Sequence, residues 1–361
     1  MKYPHVDDAL VQRMLDAVCA WNLEDDYWER QGAMTVLMNW CGDAGLDTAQ
    51  RWLNRAVATQ TTAGWLAYGA TTNLAFGAFR TMDTAIMRSF ERTASVAAYF
   101  SAPLGLLFEK TGDQTYLNAA TRQLEAVLEG PRTSEGFLRM NGSAPEVWID
   151  EVYPVCGALA KVGRITGRDD WADEAYAHLM MCAQRLLDPG TGLARHIWSE
   201  RPNSFPESTF WLRGNGWLIC AAGEVLAEAP DHPRAAEVRS MLRQLLEAMS
   251  RAQDASGFFH DFIDDTTTPL EASGTLMYAY AVGQANELGL ADEALLDSAL
   301  RGLDAVAAIV APDCSIGRTV VPPGGPGVPM GSMPLSQSFF LLAAYHLRDT
   351  LGLRLGTAPA T

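Results

Sequence analysis

Apolar residues recur every three or four positions along most of the chain, in segments of two kinds. In the first kind only one face is apolar, which is typical of a helix that packs on a core and exposes its other side. The segment 232–252 is an example, with Asp231 as the predicted N-cap and Pro233 as an early helical position. Its apolar face consists of Val238, Met241, Leu242, Leu245 and Met249. Similar patterns cover 114–129 and 169–187.

The second kind of segment is apolar almost all round and rich in small residues. It covers 150–166, 213–228 and 271–288. A helix that is apolar on every face is buried. Because the two kinds alternate along the chain, the pattern predicts an inner layer of buried helices covered by an outer layer of amphipathic ones.

The lengths of the connections alternate in the same way. Short turns follow the buried helices, as in TGDQTY at 111–116 and TGRDDW at 166–171, whereas long loops follow the outer helices. Helices are predicted near 7–21, 28–43, 46–60, 92–110, 114–129, 150–166, 170–187, 213–228, 232–252, 271–288, 292–309 and 334–350. Six such hairpins predict an all-α fold, the (α/α)6 barrel, in which a helical toroid carries every long loop at one end. An open helical solenoid is the alternative, but no polar capping repeat favours it.

The same pattern predicts how the chain is divided. Residues 1–361 are expected to form one (α/α)6 domain, with 353–361 as a disordered tail. Strand signals are confined to short loop stretches such as GRTVV at 317–321, which could pair locally. Long loops on a rigid helical scaffold are where a functional site is expected.

Composition narrows the classes of function. The formal net charge of −16 disfavours a nucleic-acid partner, because like charges repel the phosphate backbone. No apolar run is long enough to span a membrane, and the acidic N-terminus lacks the features of a signal peptide, so a cytoplasmic protein is expected. The six cysteines show no CxxC spacing and are expected to be buried free thiols. The six histidines show no chelating spacing, so neither a metal nor another cofactor is expected.

Residues capable of chemistry cluster where long loops meet inner helices. In VWIDEVY at 147–153, Asp150 and Glu151 stand at a helix start beside Trp148. A first-turn acid that caps the helix is the structural interpretation. A long loop before a buried helix also favours a second interpretation, in which Asp150 is desolvated and acts as a general acid.

Two further junctions carry aromatic, cationic and acidic residues. In WLRGNGW at 211–217, Trp211 and Trp217 flank Arg213, which could bind a carboxylate, and the glycines could let a ligand approach the backbone. The alternative is a turn with core tryptophans. The third junction, 257–271, offers His260, Asp261 and Glu271, and His196 lies in the preceding long loop. A lone loop histidine is more often structural than a ligand-binding group.

These segments resemble glycoside hydrolase family 105, the unsaturated rhamnogalacturonyl hydrolases, and family 88, the unsaturated glucuronyl hydrolases. The segments that carry the resemblance are YWERQG (27–32), LFEKTGDQTYL (107–117), RTSEGF (132–137), VWIDEVY (147–153), ARHIW (194–198), WLRGNGW (211–217), GFFHDFIDD (257–265) and LEASGTLMYAYA (270–281). The resemblance implies an (α/α)6 barrel that hydrates the double bond of a 4,5-unsaturated uronic acid at the non-reducing end of an oligosaccharide, with Asp150 as the proton donor. The candidate substrate-binding residues are Trp28, Arg139, Trp148, His196, Trp211, Arg213, Trp217 and His260.

Two departures from the family pattern suggest an altered substrate or a weakened activity. The family commonly carries a second aspartate where Val96 stands here. Asp83 is an acid that could take its place, although the stretch around it matches the family poorly. Arg139 stands where the family tends to have a histidine, and a cation there suits an anionic sugar.

Three rival functions stay open at this stage. A conventional glycosidase for saturated uronides or deoxysugars would need Asp261 or Glu271 to face Asp150. A sugar-binding protein without turnover would fit the valine at position 96, and a sugar epimerase would use His196 with His260. The expected partner is a small, anionic oligosaccharide rather than a membrane or a nucleic acid, and the chain is expected to be a monomer or a homodimer.

Overall fold

The computed structural model describes residues 2–21, 28–58, 60, 62–66, 98–139, 144–321 and 327–355. The helices within these ranges are α1 (Asp8–Cys19), α2 (Gln31–Trp40), α3 (Gly42–Ala58), α4 (Ser101–Thr111), α5 (Gln114–Leu128), α6 (Val152–Thr166), α7 (Asp169–Leu186), α8 (Leu212–Glu228), α9 (Ala235–Arg251), α10 (Ala272–Glu287), α11 (Glu293–Ala307), α12 (Pro334–His346) and the short α13 (Arg348–Leu351). Single 3-10 turns precede α2 at Trp28–Arg30 and α6 at Ile149–Glu151.

The even-numbered helices α2 to α12 form a closed inner ring. Each packs on the next in chain order, and α12 packs back on α2. Each of α3, α5, α7, α9 and α11 packs on the inner helix that precedes it, and α1 covers α12 from outside. The structure is therefore the predicted (α/α)6 barrel, and the open solenoid is ruled out. In this ring α2 stands opposite α8.

Burial explains why these segments take inner or outer places. Every residue from Ala272 to Ala285 of α10 is buried, and so is nearly all of α6 and α8. In α9 the buried side chains lie on one face, which includes Val238, Leu242 and Leu245. The prediction of alternating buried and amphipathic helices is confirmed.

Short turns close one end of the ring with left-handed glycines. Gly112 ends α4 and Gly167 ends α6, both with φ near +71°. Asp113 then caps α5 by accepting a hydrogen bond from the Thr115 backbone nitrogen (2.9 Å). A left-handed residue reverses the chain at a helix end, and glycine adopts it without strain from a Cβ atom.

The long loops lie at the other end and carry three small antiparallel sheets. The strands are β1 (Glu146–Trp148), β2 (Ile197–Ser199), β3 (Ser204–Glu207), β4 (Phe259–His260), β5 (Leu270–Glu271), β6 (Thr319–Val320) and β7 (Met330–Gly331). They pair in the orders β1-β2-β3, β4-β5 and β6-β7. The local pairing expected for 317–321 is confirmed, because Thr319 and Val320 pair with β7.

One predicted helix start is wrong. Helix α9 begins at Ala235, so Asp231 is not its N-cap and Pro233 lies in the preceding turn. Contacts with α7 hold this turn outside the helix: the ring of His232 stacks on Tyr176, and its Nε2 atom lies 3.0 Å from the Asp173 carboxylate. These tertiary contacts override the local capping signal.

Two properties of the chain bear on its environment. All six cysteines are free; Cys156, Cys182, Cys220 and Cys314 are buried, whereas Cys19 and Cys41 are partly exposed. Within the described ranges, none of the helices combines the length and the apolarity that crossing a membrane requires.

We expect Gly167→Ala to lower the free energy of unfolding by about 1 kcal/mol, because an alanine in the left-handed region is strained although no neighbouring atom would meet its Cβ. Gly317→Ala is the matched control, since its Cβ would also meet no atom and its φ lies outside the left-handed region. Urea denaturation followed by circular dichroism measures both. An equal change in the two variants would contradict this explanation.

Candidate active site

The starts of the inner helices are tied to one another through the loops at the long-loop end. Three times around the ring, a backbone N–H at or just before an inner-helix start donates to a carbonyl in the loop before the next inner helix. These bonds run from Ile149 to His196 (3.2 Å), from Leu212 to Asp261 (2.8 Å) and from Ala272 to Arg318 (2.8 Å). This repeated bond brings each loop beside the preceding inner helix, so residues distant in sequence become neighbours.

The first of these bonds places His196 against Asp150. Strands β1 and β2 pair with Trp148 opposite Ile197, which aligns the two loops. The Nε2 atom of His196 and the Oδ2 atom of Asp150 share a hydrogen bond of 3.0 Å. The His196 side chain is 6% exposed and that of Asp150 is 21% exposed. Asp150 therefore keeps contact with solvent, and no side-chain cap bond is made at this helix start, contrary to the capping interpretation.

Two indoles pack around His196. The ring of Trp148 meets the imidazole edge-on, with 5.7 Å between centroids, and its Nε1 atom donates to the Glu146 carboxylate (2.6 Å). The ring of Trp211 lies at 4.8 Å from the imidazole on another side. These contacts restrict the imidazole, while its Nδ1 atom is buried and has no hydrogen-bond partner in the described part of the chain.

Asp261 holds Trp211 in this position. Its Oδ1 atom accepts a hydrogen bond from the Trp211 indole (3.1 Å), and its Oδ2 atom accepts one from the Gly327 backbone nitrogen (3.2 Å). Burial raises the pKa of Asp261 to about 6, although both hydrogen bonds oppose that shift. Sequence analysis named Asp261 only as a candidate second acid, whereas here it orients an aromatic wall of the site.

Arg213 lies over the ring of Trp211. Its guanidinium carbon is 4.7 Å from the centre of the Trp211 ring, and its Nη1 atom donates to the Val320 carbonyl (2.8 Å) and weakly to Ser273 (3.4 Å). In the described part of the chain no carboxylate bonds directly to Arg213, although Glu29 and Asp261 act on it electrostatically. A buried cation without a direct counter-ion is suited to an anionic ligand.

The glycines of WLRGNGW do not serve the role expected of them. A Cβ atom at Gly214 would lie 2.9 Å from the Ile149 side chain, and one at Gly216 would lie 2.9 Å from Met277. They allow inner helices to pack closely and leave no approach for a ligand, so the expectation that they admit a ligand to the backbone is wrong. Between them, Asn215 exchanges two hydrogen bonds with the Ala194 backbone (2.7 and 2.9 Å), two residues before His196.

Trp217 belongs to an aromatic cluster within the ring. Its ring stacks on Tyr153 with 5.2 Å between centroids and meets Tyr99 and Phe339 at 6.3 and 5.8 Å. The side chain is 2% exposed. The structure therefore places Trp217 in the packed aromatic core beneath the helix starts.

The remaining predicted site residues lie apart from these contacts or outside the described residues. His260 bonds through Nδ1 to the Thr268 carbonyl (2.6 Å), within its own loop. Arg139 is half-buried, with an unpartnered Nε atom and an electrostatic influence on Glu200. The Trp28 side chain and residues Val96 and Asp83 lie outside the described residues.

Sequence analysis missed Glu29 as a candidate. It stands in the 3-10 turn before α2, at the same end of the ring as Asp150, and is 4% exposed. Its motif YWERQG was recognised, but an acid with a neighbouring arginine is an ordinary helix-start pattern. Within the described ranges, no three histidine, cysteine, aspartate or glutamate side chains converge as a metal site requires.

Comparison with known proteins agrees with this fold. The family model of glycosyl hydrolase family 88 matches residues 49–349. The chain belongs to glycosyl hydrolase family 88. This match includes Asp150, His196, Trp211 and Arg213, whereas Glu29 precedes it.

Individual relatives of this family 88 chain include two bacterial proteins. It is 31% identical to the unsaturated rhamnogalacturonyl hydrolase YesR of Bacillus subtilis over 191 residues, which are 50% of this chain and 55% of that protein. It is 30% identical to the protein Atu3128 of Agrobacterium fabrum over 159 residues, which are 41% of this chain and 64% of that protein. The matches thus span between about half and two-thirds of the length of these relatives.

Solved structures with the same fold include more distant proteins. A Salmonella enterica protein described as a possible member of the GH105 family superposes with a TM-score of 0.76 at 20% identity, covering 95% of this chain and 93% of that one. The unsaturated glucuronyl hydrolase of Bacillus sp. GL1 superposes with a TM-score of 0.67 at 15% identity, covering 98% of both chains. At these identities the likeness supports the fold of this family 88 chain.

We expect Trp211→Phe to lower the free energy of unfolding by about 1 kcal/mol more than Trp198→Phe does at about pH 8. Of these two indoles, that of Trp211 donates to a carboxylate and that of Trp198 does not. Trp198 is the matched control: it is also buried, and its indole donates to the neutral Asn203 side chain (2.8 Å). Asp261 binds a proton as the pH falls through about 6, so the charge-assisted part of the bond and the excess loss should then disappear.

Urea denaturation of both variants at about pH 8 and about pH 5 measures this difference. A difference that is independent of pH would show that the Trp211–Asp261 bond does not depend on the ionised carboxylate.

Proposed function

We propose that this chain is a hydrolase that removes 4,5-unsaturated uronic acid residues from the non-reducing ends of oligosaccharides, with Asp150 as the catalytic acid and base. The contact that carries the proposal is the 3.0 Å hydrogen bond between Asp150 and His196 at the mouth of the ring. Membership of glycosyl hydrolase family 88 and the similarity to a rhamnogalacturonyl hydrolase support it.

The proposed reaction begins at the double bond between C4 and C5, which the ring oxygen makes electron-rich. The Asp150 carboxyl donates its proton to C4, and the positive charge that develops at C5 is shared with the ring oxygen. Water then adds its oxygen to C5 and returns a proton to the Asp150 carboxylate. The resulting hemiketal opens to a ketone, and the hemiacetal left at C1 releases the remaining sugar. One carboxyl group therefore serves both proton transfers.

The surroundings of Asp150 suit both transfers. Its partly exposed carboxyl group can reach a ligand and a water molecule. His196 fixes one carboxyl oxygen, and Trp148 and Trp211 fix His196 in turn. We propose that the partly exposed indole of Trp148 packs on the sugar. We also propose that Arg213 binds the sugar carboxylate through guanidinium nitrogens that make no hydrogen bond within the described residues.

A conventional glycosidase mechanism finds less support in this site. It needs a second free carboxyl group across from Asp150, and neither of the two acids expected for that role, Glu271 and Asp261, is free. Glu271 caps α10 instead, accepting hydrogen bonds from the Gly274 nitrogen (2.6 Å), the Ser273 hydroxyl (2.6 Å) and the Val320 nitrogen (3.2 Å). Asp261 is occupied by Trp211 and a backbone nitrogen. The epimerase alternative is disfavoured because His260 bonds within its own loop.

We expect Asp150→Asn to reduce kcat by about 10³-fold or more, because an amide cannot give or take the proton. Loss of the ultraviolet absorbance of the unsaturated uronate, on oligosaccharides made by a polysaccharide lyase, measures the rate. Asp173→Asn is the matched control, since Asp173 also lies 3.0 Å from a histidine, His232, but at the short-turn end.

An unchanged rate in Asp150→Asn would show that a group other than Asp150 transfers the proton. A wild-type chain that binds such sugars without consuming them would instead be a binding protein.

We expect Arg213→Gln to raise KM for the unsaturated uronide about 10-fold to 100-fold with a smaller effect on kcat, because the cation binds the sugar carboxylate in every state. Arg168→Gln is the control: its guanidinium lies at 4.6 Å over the Trp171 ring, a similar arrangement at the other end of the ring. If Arg213→Gln left KM unchanged, the carboxylate would have to bind elsewhere.

A further inference from the structure

Glu29 is a buried acid that the proposed mechanism does not use. Among the residues that the structure describes, its Oε2 atom has no hydrogen-bond partner, and the residue is 4% exposed. Its own carbonyl is satisfied, because it accepts a hydrogen bond from the Ser338 hydroxyl of α12 (2.6 Å). The backbone at Glu29 is thus fixed while a carboxyl oxygen is left unsatisfied. An unsatisfied buried carboxyl oxygen is costly and calls for a functional explanation.

The position of Glu29 in the ring indicates what it faces. It stands at the start of α2, and Arg213 stands at the start of the opposite helix α8. Although these helices lie on opposite sides of the ring, the positive charge of Arg213 lowers the pKa of the Glu29 carboxyl group. The Tyr99 hydroxyl group, beside the start of α4, lies within the electrostatic influence of Glu29, Arg213 and Asp150 together. Glu29, Tyr99, Asp150 and Arg213 therefore lie near one another at the long-loop end of the ring.

We propose that Glu29 hydrogen-bonds a hydroxyl group of the sugar that lies between it and Arg213, and that it does so as a neutral carboxylic acid. The proposal rests on the proposed function, because it assumes that the sugar carries a carboxylate. A neutral acid can both donate and accept a hydrogen bond. An ionised Glu29 would add a negative charge to the space that receives an anionic sugar, and like charges in a buried site repel strongly.

The groups around Glu29 are consistent with a neutral acid near neutral pH. Burial raises the pKa of Glu29 to about 7, against the opposing effects of a hydrogen bond from its own backbone N–H and of the charges of Arg30 and Arg213. The adjoining start of α12 contributes Ser338 and Gln337, which do not titrate, and α2 itself carries no charged residue. Below about pH 7 the acid is protonated and the sugar binds, whereas above about pH 7 it ionises and the affinity for the sugar falls.

Calorimetry with an unsaturated uronyl disaccharide tests this inference in the Asp150→Asn background, where the sugar is not consumed. We expect the Kd to rise about 10-fold between about pH 6 and about pH 8.5. Adding Glu29→Gln should make the Kd independent of pH over this range, since an amide keeps the hydrogen bond and cannot ionise. Adding Glu29→Ala should weaken binding at about pH 6 and also remove the pH dependence.

Glu224→Gln is the matched control for this experiment. Burial raises the pKa of Glu224 to about 7 as well, but it lies twelve residues along α8 from the helix start, about 18 Å down the axis, and bonds to Tyr280 (3.0 Å). We expect it to leave the pH dependence of the Kd unchanged.

The outcomes separate this inference from the proposed function. If the sugar binds Asp150→Asn and its Kd depends on pH equally with and without Glu29→Gln, the role of Glu29 is overturned while the proposed function stands. If no unsaturated uronide binds or is consumed by the wild-type chain, the proposed function fails and this inference fails with it. Should Glu29→Gln not fold, Glu29→Ala alone decides through the same loss of pH dependence.

Discussion

The backbone hydrogen bonds that join the starts of α6, α8 and α10 to the loop before the next inner helix are the contacts on which the site depends. A ring of six hairpins fixes the helices, but it leaves long loops whose backbone groups need partners. Bonds such as Ile149 to His196 and Leu212 to Asp261 satisfy those groups and set which loop side chain meets which helix-start side chain. The imidazole of His196 reaches Asp150 because the backbones of the two loops are already paired. Main-chain pairing thus determines the relative positions of the His196 and Asp150 side chains.

Acids at equivalent places in this scaffold differ because their partners differ. Glu271 receives three hydrogen bonds and fixes the start of α10. Asp261 receives one from an indole and one from the backbone and so orients Trp211. Asp150 shares a hydrogen bond with His196 and is partly exposed to solvent, while one carboxyl oxygen of Glu29 has no hydrogen-bond partner among the described residues. A carboxyl group whose two oxygens both accept hydrogen bonds from the protein is structural, whereas one with an unpartnered oxygen is available to a ligand. The number of acids near a cleft therefore does not show which of them bind a ligand or take part in catalysis.

This difference explains how far the sequence could be interpreted. The alternation of buried and amphipathic helices is a property of local periodicity, and it predicted the ring, the hairpins and the end that carries the site. Asp150 and His196 stood out because their loops resemble a known family. The roles of Gly214 and Gly216 could not be predicted, since a missing Cβ serves a ligand or a packed helix equally well in sequence. Glu29 was missed because its significance depends on Arg213, which lies across the ring.

Burial also changes how the charge of the chain acts on a ligand. A net charge of −16 would repel an anionic sugar at long range in pure water, but salt screens exposed charges beyond about 8 Å. Within the site, the charges that matter are few. Burial raises the pKa of Glu29 to about 7, so near neutral pH much of Glu29 is protonated and the site is less negative than its number of carboxyl groups implies. Arg213 keeps its charge under the same conditions. The site of an acidic protein can therefore be less negative than its sequence implies, because desolvation neutralises buried acids more readily than it neutralises arginine.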